Sequence, residues 1–399
     1  MTDLSRTDAA SSPFDRSTGK NIDSAAAVDT AKLKLIFFLL SHSSAGGAQE
    51  IWINLAEGFR ARGYRVKLFA LYPFRLPARE TPDYLPWNYV VPTRPKRPLA
   101  QLKMVQALVN IFKAEKPHYV LTAMPAANVM ASLAASTAGS GTKVILSHHS
   151  PVDTHNPVLN FADGWIGSLK SVSTIVSVSQ SVAASLDKKP GTYRAKRRTI
   201  RNALPPRIET YLAELSVNHA PRDARRRVVV ATGRLAAQKN YPVMLRAAAH
   251  MPDVEVQIVG NGPDEAMLKS MAQDLGVADR VKFLGFRPRE EALQILADGD
   301  VFLQPSLFEG HSLALVEAAK LSLPIIVSDA PVQVEGVTAN DGTQCGIIVG
   351  THDDRALATQ ILRLLDEPAY YESWMFRATQ LGSEAAYEDM IDAYEDLVR

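Results

Sequence analysis

Two glutamates eight positions apart, Glu309 and Glu317, lie in the stretch EGHSLALVEAAKLSLP, directly after the apolar run DVFLQPSLF. The run predicts a buried strand, and Gly310, His311 and Ser312 predict the entry to a helix, with Ser312 as its N-cap. A helix at the carboxyl end of a parallel strand can turn its first N–H groups toward a ligand, and carboxylates accept the paired hydroxyls of a sugar or ribose. The alternative is an ordinary buried helix with an exposed carboxylate at each end.

Two cations follow another predicted strand end, in ATGRLAAQKN (residues 231–240). Arg234 comes directly after Gly233, and Lys239 lies five residues later, near a predicted helix start. A planar guanidinium, an ammonium group and the N–H groups of a helix together suit a diphosphate. The alternative is that both side chains are solvated surface cations.

A third strand end carries the glycines of IVGNGPDEAML (residues 258–268), Gly260 and Gly262. A dinucleotide fingerprint requires a third glycine where Glu265 stands, so the pattern argues against a nicotinamide site. A tight turn near a nucleotide and a purely structural turn both remain open.

Two adjacent histidines, His148 and His149, end the predicted strand TKVILSHHS. Neighbouring residues of a strand point to opposite sides, so we expect at most one imidazole to face a ligand. The alternative is a pair of ordinary loop histidines.

The Asp-Gly-Asp stretch at 298–300 is explained by turn formation, and it lies at the amino end of a predicted strand, away from the carboxyl end where a ligand would bind. No cluster of side chains has metal-ligand spacing. We therefore predict no metal site and no cofactor.

Length and composition limit the class of protein. The chain has 399 residues and a formal net charge of +2, which predicts two domains and gives no sign of general nucleic-acid binding. Its one cysteine, Cys345, fits a reducing compartment, and no apolar run reaches the length of a membrane span. Residues 1–31 are polar, contain almost no large apolar residues and lack the core of a secretory signal, so we predict a disordered tail and a cytoplasmic protein.

Short apolar strands alternate with helices along most of the chain, which predicts an α/β fold with parallel, doubly wound sheets. The alternation stops at a basic, proline-containing stretch and then restarts. We therefore predict a first Rossmann-like domain over 32–204, a linker over 205–225 and a second Rossmann-like domain over 226–380. The last segment, 381–399, predicts an amphipathic helix with Ala386, Met390, Ala393, Tyr394 and Leu397 on one face.

Several motifs, in order, resemble the retaining glycosyltransferases of the GT-B fold, in the large family numbered four (group 1). EGHSLALVE resembles the pattern of two glutamates separated by seven residues, GRLAAQKN the Arg and Lys pair, and GNGP the glycine turn. The order of DVFLQPSLFEG and PIIVSD also resembles the family. In the first half, SSAGGAQEIWINLAEGFRARGYRV is similar to the family's first glycine loop. The resemblance covers about 32–399 and is strongest over 228–330.

The resemblance implies a role for each matching residue. Arg234 and Lys239 are expected to hold the diphosphate of a nucleotide-sugar donor, Glu317 to accept from its ribose and Glu309 to lie near its sugar. The backbone from Gly310 through His311 and Ser312 to Leu313 is expected to reach the donor, and Gly46 and Gly47 to approach the diphosphate across a cleft between two facing domains. His149 aligns better than His148 with a family histidine near the sugar. The family also implies that the C-terminal helix packs back on the first domain.

The implied activity is transfer of a sugar, from a UDP-linked donor, to a glycan or lipid-linked acceptor with retention of anomeric configuration, in cell-surface polysaccharide or glycolipid synthesis. One alternative is a nucleotide-sugar 2-epimerase of the same fold, and another is a non-catalytic nucleotide-sugar-binding subunit. The basic stretch 94–116 predicts a helix that contacts an anionic membrane surface at the inner face of the membrane. Its apolar stripe consists of Leu102, Val105, Leu108, Val109 and Phe112. The alternative is that Leu102, Val105 and Val109 face the core of the domain.

Overall fold

The computed structural model describes residues 34–44, 46–74, 80–218 and 226–399. The predicted disordered tail, 1–31, lies outside these residues. The first half of the described chain contributes seven strands, β1 (Leu35–His42), β2 (Arg65–Tyr72), β3 (Trp87–Tyr89), β4 (Tyr119–Ala123), β5 (Lys143–His148), β6 (Val172–Ser177) and β7 (Arg197–Thr199). Its helices are α1 (Gly47–Ala61), α2 (Pro98–Glu115), α3 (Pro125–Ala138), α4 (Pro157–Ile166), α5 (Gln180–Ser185) and α6 (Gly191–Arg194), followed by α7 (Pro206–Asn218).

The second half contributes six strands, β8 (Val228–Thr232), β9 (Glu255–Val259), β10 (Val281–Gly285), β11 (Val301–Gln304), β12 (Ile325–Ser328) and β13 (Ile347–Val349). Its helices are α8 (Tyr241–Ala248), α9 (Glu265–Asp274), α10 (Arg289–Ala297), α11 (Leu313–Lys320), α12 (Pro331–Gly336), α13 (Asp354–Asp366), α14 (Pro368–Ser383) and α15 (Tyr387–Asp396). The predicted α/β class with two parallel sheets is confirmed.

Both sheets are parallel throughout their described strand pairs, and both reverse their strand order once. The first has the order β3-β2-β1-β4-β5-β6-β7, and the second β10-β9-β8-β11-β12-β13. The order therefore switches between β1 and β4 and between β8 and β11. In open sheets of this type, ligands bind beyond the carboxyl ends of the strands at the switch point.

Strand β1 shows how the sequence pattern builds the first domain. Ile36, Phe38 and Leu40 face one core, together with α1. The intervening Leu35, Phe37 and Leu39 face the other core, with α2 and α3. A strand that is covered on both faces needs a continuous apolar run, which LIFFLL supplies.

The stretch predicted as a linker contains a helix. In α7, Ile208, Leu212 and Leu215 are buried against Val228 and Val230 of β8, so α7 packs on the second sheet. These leucine and isoleucine positions recur at helical spacing, but the prolines and the basic composition around them obscured the pattern. The remaining linker residues, 219–225, lie outside the described part of the chain.

Helix α15 crosses back to the first domain. Tyr387, Met390, Ile391 and Tyr394 are buried in the core on the α1 side of the first sheet. Arg62 at the end of α1 forms ion pairs with Glu388 (2.6 Å), Asp392 (2.6 Å) and Glu395 (2.7 Å) along the outer edge of α15. The first core is therefore completed by the last residues of the chain.

No helix within 34–44, 46–74, 80–218 and 226–399 combines the length and apolar content that crossing a membrane requires. Helix α2 has its Met104, Leu108, Val109 and Phe112 in the domain core. Of the apolar stripe predicted to face a membrane, Leu108, Val109 and Phe112 are thus core residues and Val105 packs beside them, while Leu102 remains 64% exposed. The doubly wound sheet needed these side chains to cover its own face.

Candidate functional site

Lys239 and Glu309 meet at the carboxyl ends of β8 and β11, beside the switch point of the second sheet. The Lys239 Nζ lies 2.7 Å from Glu309 Oε1, and both side chains are largely buried. The Gln238 Nε2 donates to the carbonyl of Phe308 (3.0 Å) and lies 3.3 Å from Glu309 Oε2. The two loops are therefore fixed to each other, and a buried cation and carboxylate share one position at the sheet edge.

Arg234 lies on the same loop as Lys239, but its side chain is exposed and forms no ion pair with a carboxylate of the described residues. The positive charge of Arg234 lies close enough to His42, at the end of β1, to affect the pKa of that imidazole. The pKa of His42 is lowered, first by burial and then by the positive charges of Arg94 and Arg234. The positive charges of one arginine from each domain therefore act on the same histidine.

His42 and Arg94 had not been identified as site residues from the sequence. His42 Nδ1 hydrogen-bonds with the Ser44 hydroxyl (2.7 Å), and the Gln49 Nε2 lies 3.3 Å away. These contacts place the imidazole beside the glycine loop that opens α1. A histidine that directly follows a buried strand and precedes a Gly-Gly pair was the available signal.

The glycines of the first loop differ in their surroundings. A Cβ atom at Gly46 would lie 2.7 Å from the Gln49 Oε1, the end of a flexible side chain. At Gly47, the same atom would have no described neighbour within 4 Å. The packing of the chain therefore does not by itself require glycine at position 47, and a role for Gly46 and Gly47 in approaching a ligand stays a prediction.

The glycines of the second domain are required by packing. A Cβ atom at Gly260 would lie 1.9 Å from the carbonyl oxygen of Gly233, and one at Gly262 would lie 2.1 Å from that of Leu235. Gly233 has φ +146°, and a Cβ there would meet the Lys239 Cε at 2.6 Å. These contacts favour the structural interpretation of Gly260 and Gly262, because the turns hold the loops that carry Arg234 and Lys239.

The residues at the start of α11 lie in two different environments. Gly310 contacts the first domain, since a Cβ there would lie 2.1 Å from the carbonyl oxygen of His149. The His311 side chain instead lines a cavity of about 290 Å³ between the domains, beside Asn202 and Glu335. Burial lowers the pKa of His311 to about 4. The lining of this cavity includes His311 but not Arg234, Lys239 or Glu309.

Ser312 occupies the N-cap position of α11, as predicted, but its hydroxyl does not cap the helix. It donates to the Gln304 Oε1 at 2.7 Å instead. The first-turn N–H groups of α11 are therefore not satisfied by that side chain. Leu313, the first residue of the helix, is partly buried and packs against apolar clusters of both domains.

Glu317 lies on the buried face of α11, in an ion-pair network that the sequence analysis had missed. One guanidinium nitrogen of Arg289 contacts Glu317 Oε1, and the other lies 2.7 Å from Oε2 of Glu50 on α1. Glu50 and Glu317 are both buried. Arg289 thus links the two domains through two carboxylates.

The two histidines at the end of β5 point to opposite sides, as strand alternation predicts. His148 Nε2 hydrogen-bonds with the Tyr193 hydroxyl (2.7 Å), which donates to Asp163 (2.8 Å), inside the first domain. His149 packs edge-on to Trp52, with ring centroids 5.2 Å apart, and its Nε2 lies 3.0 Å from the Ser147 hydroxyl. Burial lowers the pKa of His149 to about 3, so the imidazole is neutral. Through its backbone contact with Gly310, His149 is the one at the domain interface.

No group of three or more His, Cys, Asp or Glu side chains within the described ranges has an arrangement that could hold a metal ion. Asp300 of the DGD stretch accepts from the backbone N–H of Val228 at 2.8 Å, and Asp298 caps the end of α10. Both carboxylates therefore lie at the amino end of the second sheet, opposite the candidate site.

Comparison with known proteins gives matches in both halves of the chain. Residues 45–207 match the family described as Glycosyltransferase Family 4, and residues 215–380 match Glycosyl transferases group 1. The chain is 31% identical over 189 residues to D-inositol 3-phosphate glycosyltransferase of Corynebacterium kroppenstedtii, covering 43% of this chain and 41% of that protein. It is 31% identical over 175 residues to the lipopolysaccharide core biosynthesis glycosyltransferase LpsD of Rhizobium meliloti, covering 43% of this chain and 48% of LpsD. The matches span less than half of these curated relatives.

Solved structures share the architecture over nearly their whole length. The Anabaena protein HepE in complex with UDP and glucose superposes with a TM-score of 0.73 and 18% identity, over 91% of this chain and 99% of HepE. Sucrose-phosphate synthase from Thermosynechococcus elongatus gives a TM-score of 0.74 and 18% identity, over 91% and 98%. At this identity, the likeness concerns the fold alone.

Proposed function

Because the chain belongs to the family-four (group 1) glycosyltransferases of the GT-B fold, we propose that it transfers a sugar from a nucleotide-sugar donor to a glycan or lipid-linked acceptor with retention of anomeric configuration. The observation that carries the proposal is the set of charges at the crevice. Arg234 and the Lys239–Glu309 pair lie at the carboxyl edge of one sheet, and Arg94 and His42 lie opposite them on the other. The positive charges at this sheet edge suit the diphosphate of such a donor.

Arg234 and Lys239 stabilise the charge that grows on the donor diphosphate as its bond to the sugar breaks. The diphosphate leaves with the electron pair of that bond, and the acceptor hydroxyl forms the new bond on the same face of the sugar. The hydroxyl proton passes to the departing diphosphate oxygen. Fixed cations in a partly dehydrated crevice stabilise such charge better than water does, since they need no reorganisation. Glu309, anchored by Lys239, is placed to accept from a sugar hydroxyl.

Two cationic side chains, rather than a divalent metal ion, neutralise the leaving diphosphate in this proposal. The exposed guanidinium of Arg234 and the buried ammonium of Lys239 support it. Transfer that continues at an unchanged rate in excess EDTA fits the proposal. Transfer that stops in EDTA and returns with Mg²⁺ or Mn²⁺ contradicts it.

UDP-glucose is the first donor to test, because HepE is described in complex with UDP and with glucose. The experiment incubates the protein with UDP-, GDP- and ADP-linked sugars and bacterial glycolipid extract, and measures both released nucleoside diphosphate and labelled glycan. Release that depends on the extract and yields an α-linked product from an α-linked donor supports transfer with retention. Inversion of the free donor at the sugar C2, or binding without turnover, contradicts it.

We propose that a lipid-linked acceptor approaches the first domain on a surface that keeps the predicted basic stretch but not most of its predicted apolar stripe. Exposed basic residues lie on α2 and on the segments that flank it, namely Lys96, Arg97, Lys103, Lys113 and Lys116. Leu99 and Leu102 project among them, and α4, which lies in the same helical layer, exposes Val158, Phe161 and Trp165. We place the membrane contact on these outward residues, because basic and aromatic side chains together favour an anionic headgroup surface.

Cosedimentation with vesicles tests the membrane contact. We expect binding to vesicles rich in phosphatidylglycerol at low salt, loss at high salt, and little binding to phosphatidylcholine vesicles. Phe161→Ser with Trp165→Ser is expected to weaken binding, while Phe376→Ser, an equally exposed aromatic on α14, serves as the matched control. Protein that stays in the supernatant with anionic vesicles at low salt indicates a soluble acceptor.

A further inference from the structure

Arg289 is the first residue of α10, yet its side chain leaves its own domain. It reaches Glu317 on α11 with one guanidinium nitrogen and Glu50 on α1 with the other, at 2.7 Å. Its side chain is 14% exposed, and both carboxylates are buried. A planar guanidinium can hold two carboxylates at once in a fixed direction, which a lysine ammonium cannot do with the same geometry.

The arrangement is one cation between two anions, in the interface of the two domains. Removing a buried cation from such a network leaves uncompensated negative charge, so the domains are favoured in the alignment that keeps all three groups together. The contacts of Arg289 therefore stabilise the alignment of the two domains as well as the orientation of Glu317.

The Arg289 Nε is a further feature of the network. It is buried and has no hydrogen-bond partner among the described residues. A buried N–H without a partner is uncommon in folded proteins.

We infer that Arg289 is a positioning residue that couples nucleotide binding to domain alignment. This inference rests on the proposed function, in which Glu317 accepts from the donor ribose. Arg289 holds the Glu317 carboxylate in place for the ribose, and it does so while bound to Glu50. The ribose site is therefore formed when the first domain is in position, and bound nucleotide in turn favours that position, as linkage requires.

The test compares Arg289→Gln, which removes the cation, with Glu50→Gln, which keeps the Arg289–Glu317 pair and weakens the link to the first domain by removing its negative charge. Arg207→Gln is the matched control, because Arg207 pairs with the neighbouring Glu290 on the exposed side of α10. Spin labels at exposed positions Gln101 and Thr359, in a Cys345→Ala background, report the distance between the domains. Binding of UDP, with GDP and ADP in parallel, is measured by calorimetry without acceptor.

We expect a broader distance distribution in nucleotide-free Arg289→Gln and Glu50→Gln than in the wild type and in Arg207→Gln. We also expect Arg289→Gln to weaken nucleotide binding at least tenfold, and Glu50→Gln to weaken it less. Unchanged distances and affinities in both variants overturn the inference. If the wild type binds none of the three nucleotides, the proposed function fails, while the distances still decide whether Arg289 aligns the domains.

Discussion

The carbonyl oxygen of His149 lies so close to Gly310 that a Cβ atom at position 310 would stand 2.1 Å from it. His149 follows β5 of the first sheet, and Gly310 follows β11 of the second. The carboxyl edges of the two sheets therefore touch at one glycine, next to Glu309. This contact limits how closely the two sheet edges can approach each other.

Gly310→Ala is expected to force the domains apart or to shift the loop that carries Glu309, because the obstructing atoms belong to the backbone of His149. Transfer should fall by about a hundredfold, since a misplacement of about 1 Å can have that effect. Gly191→Ala, where a Cβ meets no described atom within 4 Å, is the control. Initial rates with saturating donor measure the effect, and a rate within threefold of the wild type for Gly310→Ala contradicts the close contact.

Arg234→Ala is expected to reduce kcat by roughly a hundredfold, because loss of one preorganised charge contact costs about 3 kcal/mol. The melting temperature should stay unchanged, since the side chain is exposed and unpaired within the described chain. Arg355→Ala, an exposed arginine of α13, controls for a general charge effect. Near-normal turnover in folded Arg234→Ala removes Arg234 from the site.

Lys239→Ala is expected to lower both turnover and stability. Glu309 loses its buried cation, and breaking a buried pair from one side costs about 3–5 kcal/mol. The double variant Lys239→Met with Glu309→Gln should recover much of the stability, because it leaves no unpaired charge, but it should recover no activity. Urea unfolding and turnover measured on the same samples separate the two roles. Equal stability of Lys239→Ala and the wild type argues against the ion pair.

Stability is expected to fall as the pH decreases below about 6.5. His149 has a pKa of about 3 in the folded chain, and the same imidazole takes up a proton near pH 6.5 when unfolded. Between these two pKa values, the unfolded state binds more protons than the folded state. Each imidazole with such a lowered pKa therefore reduces the free energy of unfolding by about 1.4 kcal/mol for each unit by which the pH decreases. Urea titrations at pH 7.5, 6.0 and 5.0 measure the slope. His149→Gln should make it shallower by about one proton, and an unchanged slope contradicts a neutral, buried His149.

Tyr394→Ala is expected to destabilise the first domain, although residue 394 lies at the far end of the sequence. Its side chain is fully buried, with its ring 6.4 Å from that of Trp52. Truncating a buried aromatic side chain costs about 3–5 kcal/mol. Phe376→Ala, whose ring is 72% exposed, should change stability by no more than about 0.5 kcal/mol. Equal effects of the two substitutions on urea unfolding contradict the docking of α15.

The strand-helix alternation was readable because both sheets are covered on both faces, so that each strand appears as a short apolar run. The LIFFLL run of β1 and the VVVAT of β8 are examples. Helix α7 was not predicted, because its apolar spacing lies within a basic, proline-containing stretch. The sequence also did not determine what the apolar side chains of α2 contact, because the same helical spacing is expected for a helix that packs on a sheet and for one that lies on a membrane.

The candidate site could be predicted where residues near one another in sequence share a strand end, as with Arg234 and Lys239. Contacts between distant segments could not. Glu50 and Arg289 are 239 positions apart, and nothing local marks either as part of an ion pair. His42 and Arg94 belong to the same class, because they are distant in sequence and only the fold of the first domain brings their charges close together. The surroundings of His311 could not be predicted either, because the cavity that it lines is formed by segments that are distant in sequence.

Helix α15 completes the core of the first domain but is synthesised after the whole of the second sheet. Roughly 190 residues separate β7 from α15, which is about 10–40 s of synthesis at 5–20 residues per second. During that time, the faces of β1 and α1 that later hold Tyr394 and Met390 lack their cover. The nascent first domain therefore presents an apolar surface to chaperones throughout the synthesis of the second, and its folding finishes only after α15 has been made.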